Sequence, residues 1–284
     1  MPAATKPKRP SRLVSILLLV GIALSVILFF TPFVYDWIAS NQRLEIAQDY
    51  RKRAYPADKR RDALIKQYNA NILAHQKGQV RPFPGVTYQQ IESDAEAAFG
   101  YVGIPSIHLK STPVFYGTSD AVLAKGVGSL TYTSLPAPGK NVTASLTAHT
   151  GLANRIFFDN IRYLKKGDVV YVDAFAHEYA YAVDRQQVID PKQPDAYKAF
   201  NIKDAQNKII LMTCTPQGIN DHRLLVFAHK IPLATAKHTP VKARDRWSLM
   251  NIWKYCFLLL LLALVLAYWY YARKQQRKQE AAYA

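Results

Sequence analysis

Residues 213–226 read TCTPQGINDHRLLV. Cys214 closes one apolar run, KIILM, and Arg223 opens the next, RLLVF. Between them Pro216, Gly218 and Asn220 turn the chain back on itself. Two runs joined this closely pair as antiparallel strands, with the thiol and the guanidinium at the same end. The thiolate is the nucleophilic form of cysteine, and a positive neighbour favours it. Arginine keeps its charge throughout, so Arg223 could hold a substrate carbonyl oxygen as negative charge grows there. The plainer role for Arg223 is a surface salt bridge, which its place directly after the turn disfavours. Thr213 and Asn220, on either side, are further candidates for substrate contact.

A thiol and a cation still need a proton carrier. The chain has seven histidines. His75 and His238 fall in helical or linker segments, and His108 and His177 at strand or turn positions with charged neighbours. His222 adjoins Arg223, and His229 lies inside a strand. His149 is different: it ends the apolar run VTASLTAH and precedes a turn at Gly151. Strand ends beside loops are where reactive groups are commonly mounted. The second cysteine, Cys256, lies in a long apolar segment. Nothing in the sequence brings it within the ~4.4–6.8 Å between Cα atoms that a disulfide requires.

The elements that must position these groups follow from composition. Of 284 residues, 50% are apolar and 12% aromatic, enough for one sizeable core with appendages. Two stretches carry no charge, residues 13–35 and 255–272. As helices they are ~34 and ~27 Å long, against a hydrocarbon core of ~30 Å. Both therefore read as transmembrane helices. A cleaved signal peptide is the alternative for the first, but its apolar core exceeds the usual ~7–15 residues. Lys6, Lys8, Arg9 and Arg12 precede the first span, and Arg273, Lys274, Arg277 and Lys278 follow the second. That asymmetry predicts two cytoplasmic tails, 1–12 and 273–284, with residues 36–254 outside. Taking +4 and +3 for the tails from the formal net charge of +17 leaves +10 on the external portion. An anionic membrane face or wall polymer suits that charge outside a cell, and nucleic acid does not.

Within the external portion, residues 41–75 have helical spacing, broken at Pro56. Residues 76–87, with Gly78, Pro82, Pro84 and Gly85, form a loop carrying Phe83. Residues 88–99 read as helix, which extends a helical region over 36–99. From residue 100 the pattern changes to about eight short apolar runs separated by turns. Such a series predicts a mainly β fold, a closed or nearly closed eight-stranded barrel over 100–235. Short helical inserts are expected near 118–124, 153–164 and 194–199. Residues 236–254 read as a polar linker to the second span.

Taken together, TCTPQGINDHRLLV, LTAHTGL, GYVGIPSIHLKSTPVFYGTS, AKGVGSLTYTSLP and FAHKI resemble the sortases. The form CTP-GIN-HRLLV, with a C-terminal span and a long N-terminal helical region, is similar to class C, the pilin-polymerising sortases of Gram-positive bacteria. The resemblance implies a sortase-type barrel and a cysteine transpeptidase acting on LPXTG-like sorting motifs. It implies Cys214 as nucleophile, His149 as acid for the leaving amine and Arg223 as the oxyanion or substrate partner. A lysine of the next pilin would resolve the thioester, and no metal or organic cofactor is expected. Where many relatives read GHRGLP at the histidine, this chain has AHTGLA, so Ala148, Thr150 and Ala153 differ. Class C enzymes commonly carry a lid with an aspartate–proline–aromatic motif. The nearest match here is Arg81–Pro82–Phe83, which lacks the aspartate. The alternatives are a housekeeping-type sortase anchoring proteins to wall precursor, a membrane-tethered cysteine peptidase, and a tethered binding module.

Overall fold

The structure, a computed structural model, describes residues 58–79, 85–150 and 157–244, with scattered helical residues in the two terminal stretches. It divides into two units, residues 1–242 and 243–284.

The first unit is built on eight strands. These are β1 (Gly100–Ile104), β2 (Leu109–Tyr116), β3 (Val127–Ser129), β4 (Val142–Thr147), β5 (Val169–Ala174), β6 (His177–Ile189), β7 (Asn207–Thr215) and β8 (His222–Ile231). They close into a barrel in the order β1-β2-β3-β4-β7-β8-β6-β5. The β2/β3 and β4/β7 pairs are parallel and the rest antiparallel. Closure leaves no free sheet edge. The expected eight-stranded barrel is therefore present.

Alternation along each strand fills the interior. Val102, Ile104, Val114, Val127, Leu146, Val170, Val172, Ile209, Leu211 and Val226 are almost fully buried in one continuous core. On β7 and β8 the opposite face is apolar too. Ile210, Leu225 and Phe227 form a second cluster with Leu130 and Phe200. Phe200 comes from the β6–β7 connection, which makes a short 3-10 turn at Ala196–Phe200 and folds over that face. Strands covered on both sides read as near-continuous apolar runs, which explains KIILM and RLLVF.

Outside the barrel, helix α1 (Lys59–Gln76) starts at Asp58, whose side chain accepts a hydrogen bond from the Arg60 N–H at 2.9 Å. Its buried stripe includes Ile65, Tyr68 and Asn69, with Ile72 packed against the core, the spacing of one helix face. Asn69 does more than pack. Its amide nitrogen donates to Leu135 O at 2.9 Å and its oxygen accepts from Leu135 N at 2.8 Å. The helix is thereby fastened to the β3–β4 connection. The Tyr88 ring stacks on Tyr116 at 3.9 Å, and the Tyr68 and Tyr116 hydroxyls lie 3.0 Å apart.

Three expectations need amendment. The helix foreseen over 88–99 shrinks to α2 (Tyr88–Ile91). Beyond it the Glu92 carboxylate accepts from Asp94 N and the Asp94 carboxylate from Glu96 N. Those local bonds give the backbone an alternative to the helical ladder. The insert expected near 118–124 is present as α3 (Asp120–Lys125), capped by Ser119. The run VGSLTYTSL yields only the three residues of β3; residues 130–135 leave the barrel to cover β4, with Leu130 N bonding Ser145 O and Ser134 N bonding Thr143 O. At the other end α4 (Leu233–His238) enters the segment read as linker and buries Ala236.

Among the described residues no helix is long and apolar enough to cross a membrane. Most of 13–35 and half of 255–272 lie outside the described residues, as do Pro82, Phe83 and Cys256. In the second unit the described residues from Leu258 onward are helical, and the Arg273 guanidinium lies 3.8 Å over the Trp269 ring.

Replacing Asn69 with alanine leaves the buried N–H and C=O of Leu135 without partners. Asn69→Ala is expected to lower unfolding free energy by about 3 kcal/mol, read as a lower denaturant midpoint with an unchanged slope.

Candidate active site

The β7–β8 register pairs Cys214 with Arg223 directly, and Thr215 with His222. The two side chains therefore share one sheet face, at the common strand end that the sequence predicts. Alternation identifies the face: Cys214 follows Ile210 and Met212, and Arg223 precedes Leu225 and Phe227, so both belong to the outer face. Thr213 takes the inner face and is 1% exposed. On the far side of β8, Ile189 of β6 pairs with Arg223. On the far side of β7 the parallel ladder pairs Thr147 of β4 with Met212. Carried two residues further, the same register sets His149 level with Cys214. His149, Cys214, Arg223 and Ile189 thus form one row across four neighbouring strands at a rim of the barrel. Cys214 is a free thiol, and it, His149 and Arg223 are all half-buried.

Comparison with known proteins identifies the family of this barrel. The Sortase domain profile matches residues 102–231. The Clostridium perfringens sortase C structure with the C-terminal cell wall sorting motif is 36% identical with a TM-score of 0.56; the match covers 66% of this chain and 98% of that one. Sortase C1 of GBS Pilus Island 1 is 32% identical, TM-score 0.57, covering 68% and 98%. Sortase A of Bacillus anthracis is 26% identical over 133 residues, 47% of this chain and 60% of that protein. The chain belongs to the sortase family. Its structural neighbours are of class C, and the family's enzymes are cysteine transpeptidases.

How this sortase holds its row is visible in the backbone. The Thr213 hydroxyl donates to Ala148 O at 2.9 Å inside the core, and Ala148 N donates to Met212 O at 3.3 Å. On the next residue, His149 O accepts from Phe158 N at 3.4 Å. The histidine backbone is gripped on both sides, and none of these bonds uses the imidazole. Arg223 is held differently. One of its terminal nitrogens donates to Asn220 O at 2.9 Å and to His222 O at 3.0 Å. Asn220 reaches that position through a left-handed backbone, φ 60°, which asparagine tolerates. Among the described residues no carboxylate pairs with Arg223. Both loop carbonyls can accept without neutralising its charge. Nearby, the His222 imidazole hydrogen-bonded to Asp221 at 2.8 Å holds that carboxyl below the usual carboxylate range. The Lys192 backbone N–H does the same for Asp190, just past Ile189.

Of the seven predicted site residues, the structure brings Cys214, His149 and Arg223 together. It places Thr213 beneath them in the core and Asn220 in the β7–β8 loop, while Pro82 and Phe83 fall outside the described residues. Sequence reasoning missed a polar cluster beside the row. Asp159 Oδ1 accepts from the Thr150 hydroxyl at 3.2 Å and from Gln217 Nε2 at 3.3 Å, and its Oδ2 accepts from Phe157 N at 3.2 Å. Arg162 donates from Nε to Asp159 O at 2.8 Å and from a terminal nitrogen to Thr150 Oγ1 at 3.2 Å. The one signal was a lone acid inside the apolar run IFFDNI. Thr150 is reached by an arginine from twelve residues on.

Thr213→Val removes the hydroxyl and leaves Ala148 O buried without that donor. A loss of about 1–2 kcal/mol in unfolding free energy is expected, while Thr213→Ser stays near wild type. Denaturant unfolding of the three proteins in parallel checks this.

Proposed function

We propose that this sortase cleaves an LPXTG-like sorting motif and joins pilin subunits through a lysine isopeptide bond. The observation that carries the reading is the register that faces Cys214 with Arg223 and sets His149 level with both. Supporting it, one neighbour was solved with a cell wall sorting motif and another comes from a pilus island.

The side chains can divide the reaction as follows. The Cys214 sulfur attacks the threonine carbonyl carbon of the motif. The carbonyl oxygen gathers negative charge, and the Arg223 guanidinium stabilises it. His149 delivers a proton to the glycine nitrogen, the C–N bond breaks, and a thioester remains on Cys214. A lysine amine of the next subunit then attacks the same carbon. Its proton passes to the histidine, the C–S bond breaks, and an isopeptide bond replaces it. Half-buried Met212 and Ile189 flank the row and offer apolar surface for the leucine and proline of the motif.

Residues 13–35 and 255–272 serve in this reading as two membrane spans. Residues 100–235 lie outside the cell as the catalytic barrel, and both tails are cytoplasmic. The described residues of these stretches are helical and apolar yet exposed: Ile27, Phe30 and Val34 in the first, Leu259, Leu266 and Trp269 in the second. Side chains of that kind suit lipid, and the basic flanks suit the orientation. The basic external surface then faces anionic headgroups or wall polymer.

In the native host, Cys214→Ala is expected to abolish the high-molecular-mass ladder of surface proteins in detergent-boiled wall extracts. An intact ladder with surface proteins shed into the medium would point to wall anchoring, and no change at all would remove the transpeptidase reading. In purified enzyme, Arg223→Lys keeps the charge but loses the planar fork. A fall in kcat of roughly 10²–10³ is expected for thioester formation from a sorting peptide, measured as the rate of glycine-side product release.

A further inference from the structure

Two catalytic segments leave the barrel at the same rim on separate connections. One continues from His149, the other from Cys214. The parallel β4/β7 ladder ends at Thr147 and Met212, and one residue on, Ala148 is still tied to Met212 and Thr213. Past His149 and Thr215 the two segments run into their connections, where a further tie must fix their spacing. The Asp159 carboxylate is the group that touches both. Its Oδ1 takes a hydrogen bond from Thr150, the residue after His149, and another from Gln217, three residues after Cys214. Its Oδ2 takes one from Phe157 N, and the adjacent Phe158 N is the donor to His149 O. Arg162 braces the arrangement by donating to Thr150 Oγ1 and to Asp159 O. A further side chain, Gln186, fixes the turn below by donating to Leu164 O at 2.6 Å.

We infer that Asp159 is a positioning residue that locks the His149 segment to the Cys214 loop, with Thr150 and Gln217 as its two contacts. The inference rests on the transpeptidase reading above for its effect on rate. The chemistry of the site fits a lock better than a catalytic group. An ionised carboxylate accepts hydrogen bonds at about four lone-pair positions, and three are taken here by donors from three separate stretches of chain. Bonds to a charged acceptor are the stronger kind. No uncharged side chain of this size could accept all three, because asparagine would turn one nitrogen toward a donor. Half-burial at 159 keeps the bonds from being fully exchanged for water. Precision matters at this point because a misplacement of about 1 Å between reacting groups can cost ~10² in rate. Binding of the sorting motif, in contrast, draws on the outer face around Met212 and Ile189, which Asp159 does not touch in any bond the structure records.

The test uses the full chain in detergent. Asp159→Asn is expected to lower kcat for sorting-peptide cleavage roughly 10- to 100-fold with KM within about twofold. Thr150→Val is expected to follow it and Thr150→Ser to recover most of the rate. Backbone hydrogen exchange supplies the independent readout. In Asp159→Asn, amides of 157–159 and of 217–221 are expected to lose protection together, while strand amides of β7 and β8 keep theirs. Loss of protection at 157–159 alone would overturn the lock, as would a normal kcat or a rise in KM as the main effect. Should the wild type cleave no sorting peptide while the two segments still loosen together, the lock stands and the transpeptidase reading fails. Should the variant misfold, Gln217→Leu removes the Gln217 tie to the Cys214 loop and carries the same expectations for 217–221 and kcat.

Discussion

The hydrogen-bond register of three adjacent strands decides what this molecule can do. In a sheet the side-chain period is two, so a slip of one residue moves every side chain to the other face. A one-residue slip of β8 against β7 would turn Arg223 inward and set Leu224 beside Cys214. A slip of β4 would bury His149 and expose Ala148. The register is protected by the two apolar faces of β7. Ile209 and Leu211 fill the barrel while Ile210 and Met212 meet the cluster around Phe200 and Leu130. Either slip would exchange a fully buried face for one of different shape, at a cost of several side-chain burials at ~1.5–3 kcal/mol each. The outer cover from the β6–β7 connection and residues 130–135 is therefore part of what aims the row of His149, Cys214 and Arg223.

That dependence also explains why α1 and the β3–β4 connection lie where they do. Residues 130–135 cover β4 from outside, and they are themselves held by Asn69 and Tyr68 of α1. A path of contacts runs from the helix, through the cover, to the strand that ends at His149. Each link is a buried hydrogen bond or a packed ring. Such links are costly to leave unmade and weak to gain, so they specify an arrangement more than they add stability.

Much of this was legible in the sequence, and the limits have physical causes. Eight apolar runs separated by turns gave a barrel, and the turn TPQGIND placed Cys214 opposite Arg223. Both follow from local pattern and short connection. His149 could be suspected from its strand end, although its level with Cys214 depends on a parallel pairing across 65 residues, which local pattern does not show. Residues 130–135 look like a strand because they are apolar and β-prone. They bond β4 only at isolated points instead, Leu130 at Ser145 and Ser134 at Thr143, past the two residues that β3 pairs. Residues 92–99 look helical until the carboxylates of Glu92 and Asp94 capture the backbone N–H groups that a helix would need. Asp159 left only a faint trace, the lone acid in IFFDNI, for a different reason. Its partners include residues 150, 157 and 217, and only the closed barrel brings residue 217 to it.

The contrast between a held backbone at His149 and an imidazole with no hydrogen bond among the described residues is the last piece. In the proposed reaction, a general acid that first protonates a leaving amine and later receives a proton from an attacking one must face two nitrogen positions in turn. A side chain locked by its own hydrogen bonds would serve one of them. A side chain on a mobile loop would serve neither reliably, because reacting groups must meet within a fraction of an ångström. Here the bonds fall on Ala148 O, Ala148 N and His149 O, which fixes the Cα and leaves rotation about the side-chain torsions. Arg223 follows the same logic from the other side. Its donors to Asn220 O and His222 O come from one terminal nitrogen, so the rest of the planar fork remains for an incoming oxygen. The scaffold spends its hydrogen bonds on main-chain atoms around the row, and the groups that would meet the substrate are left to bind it.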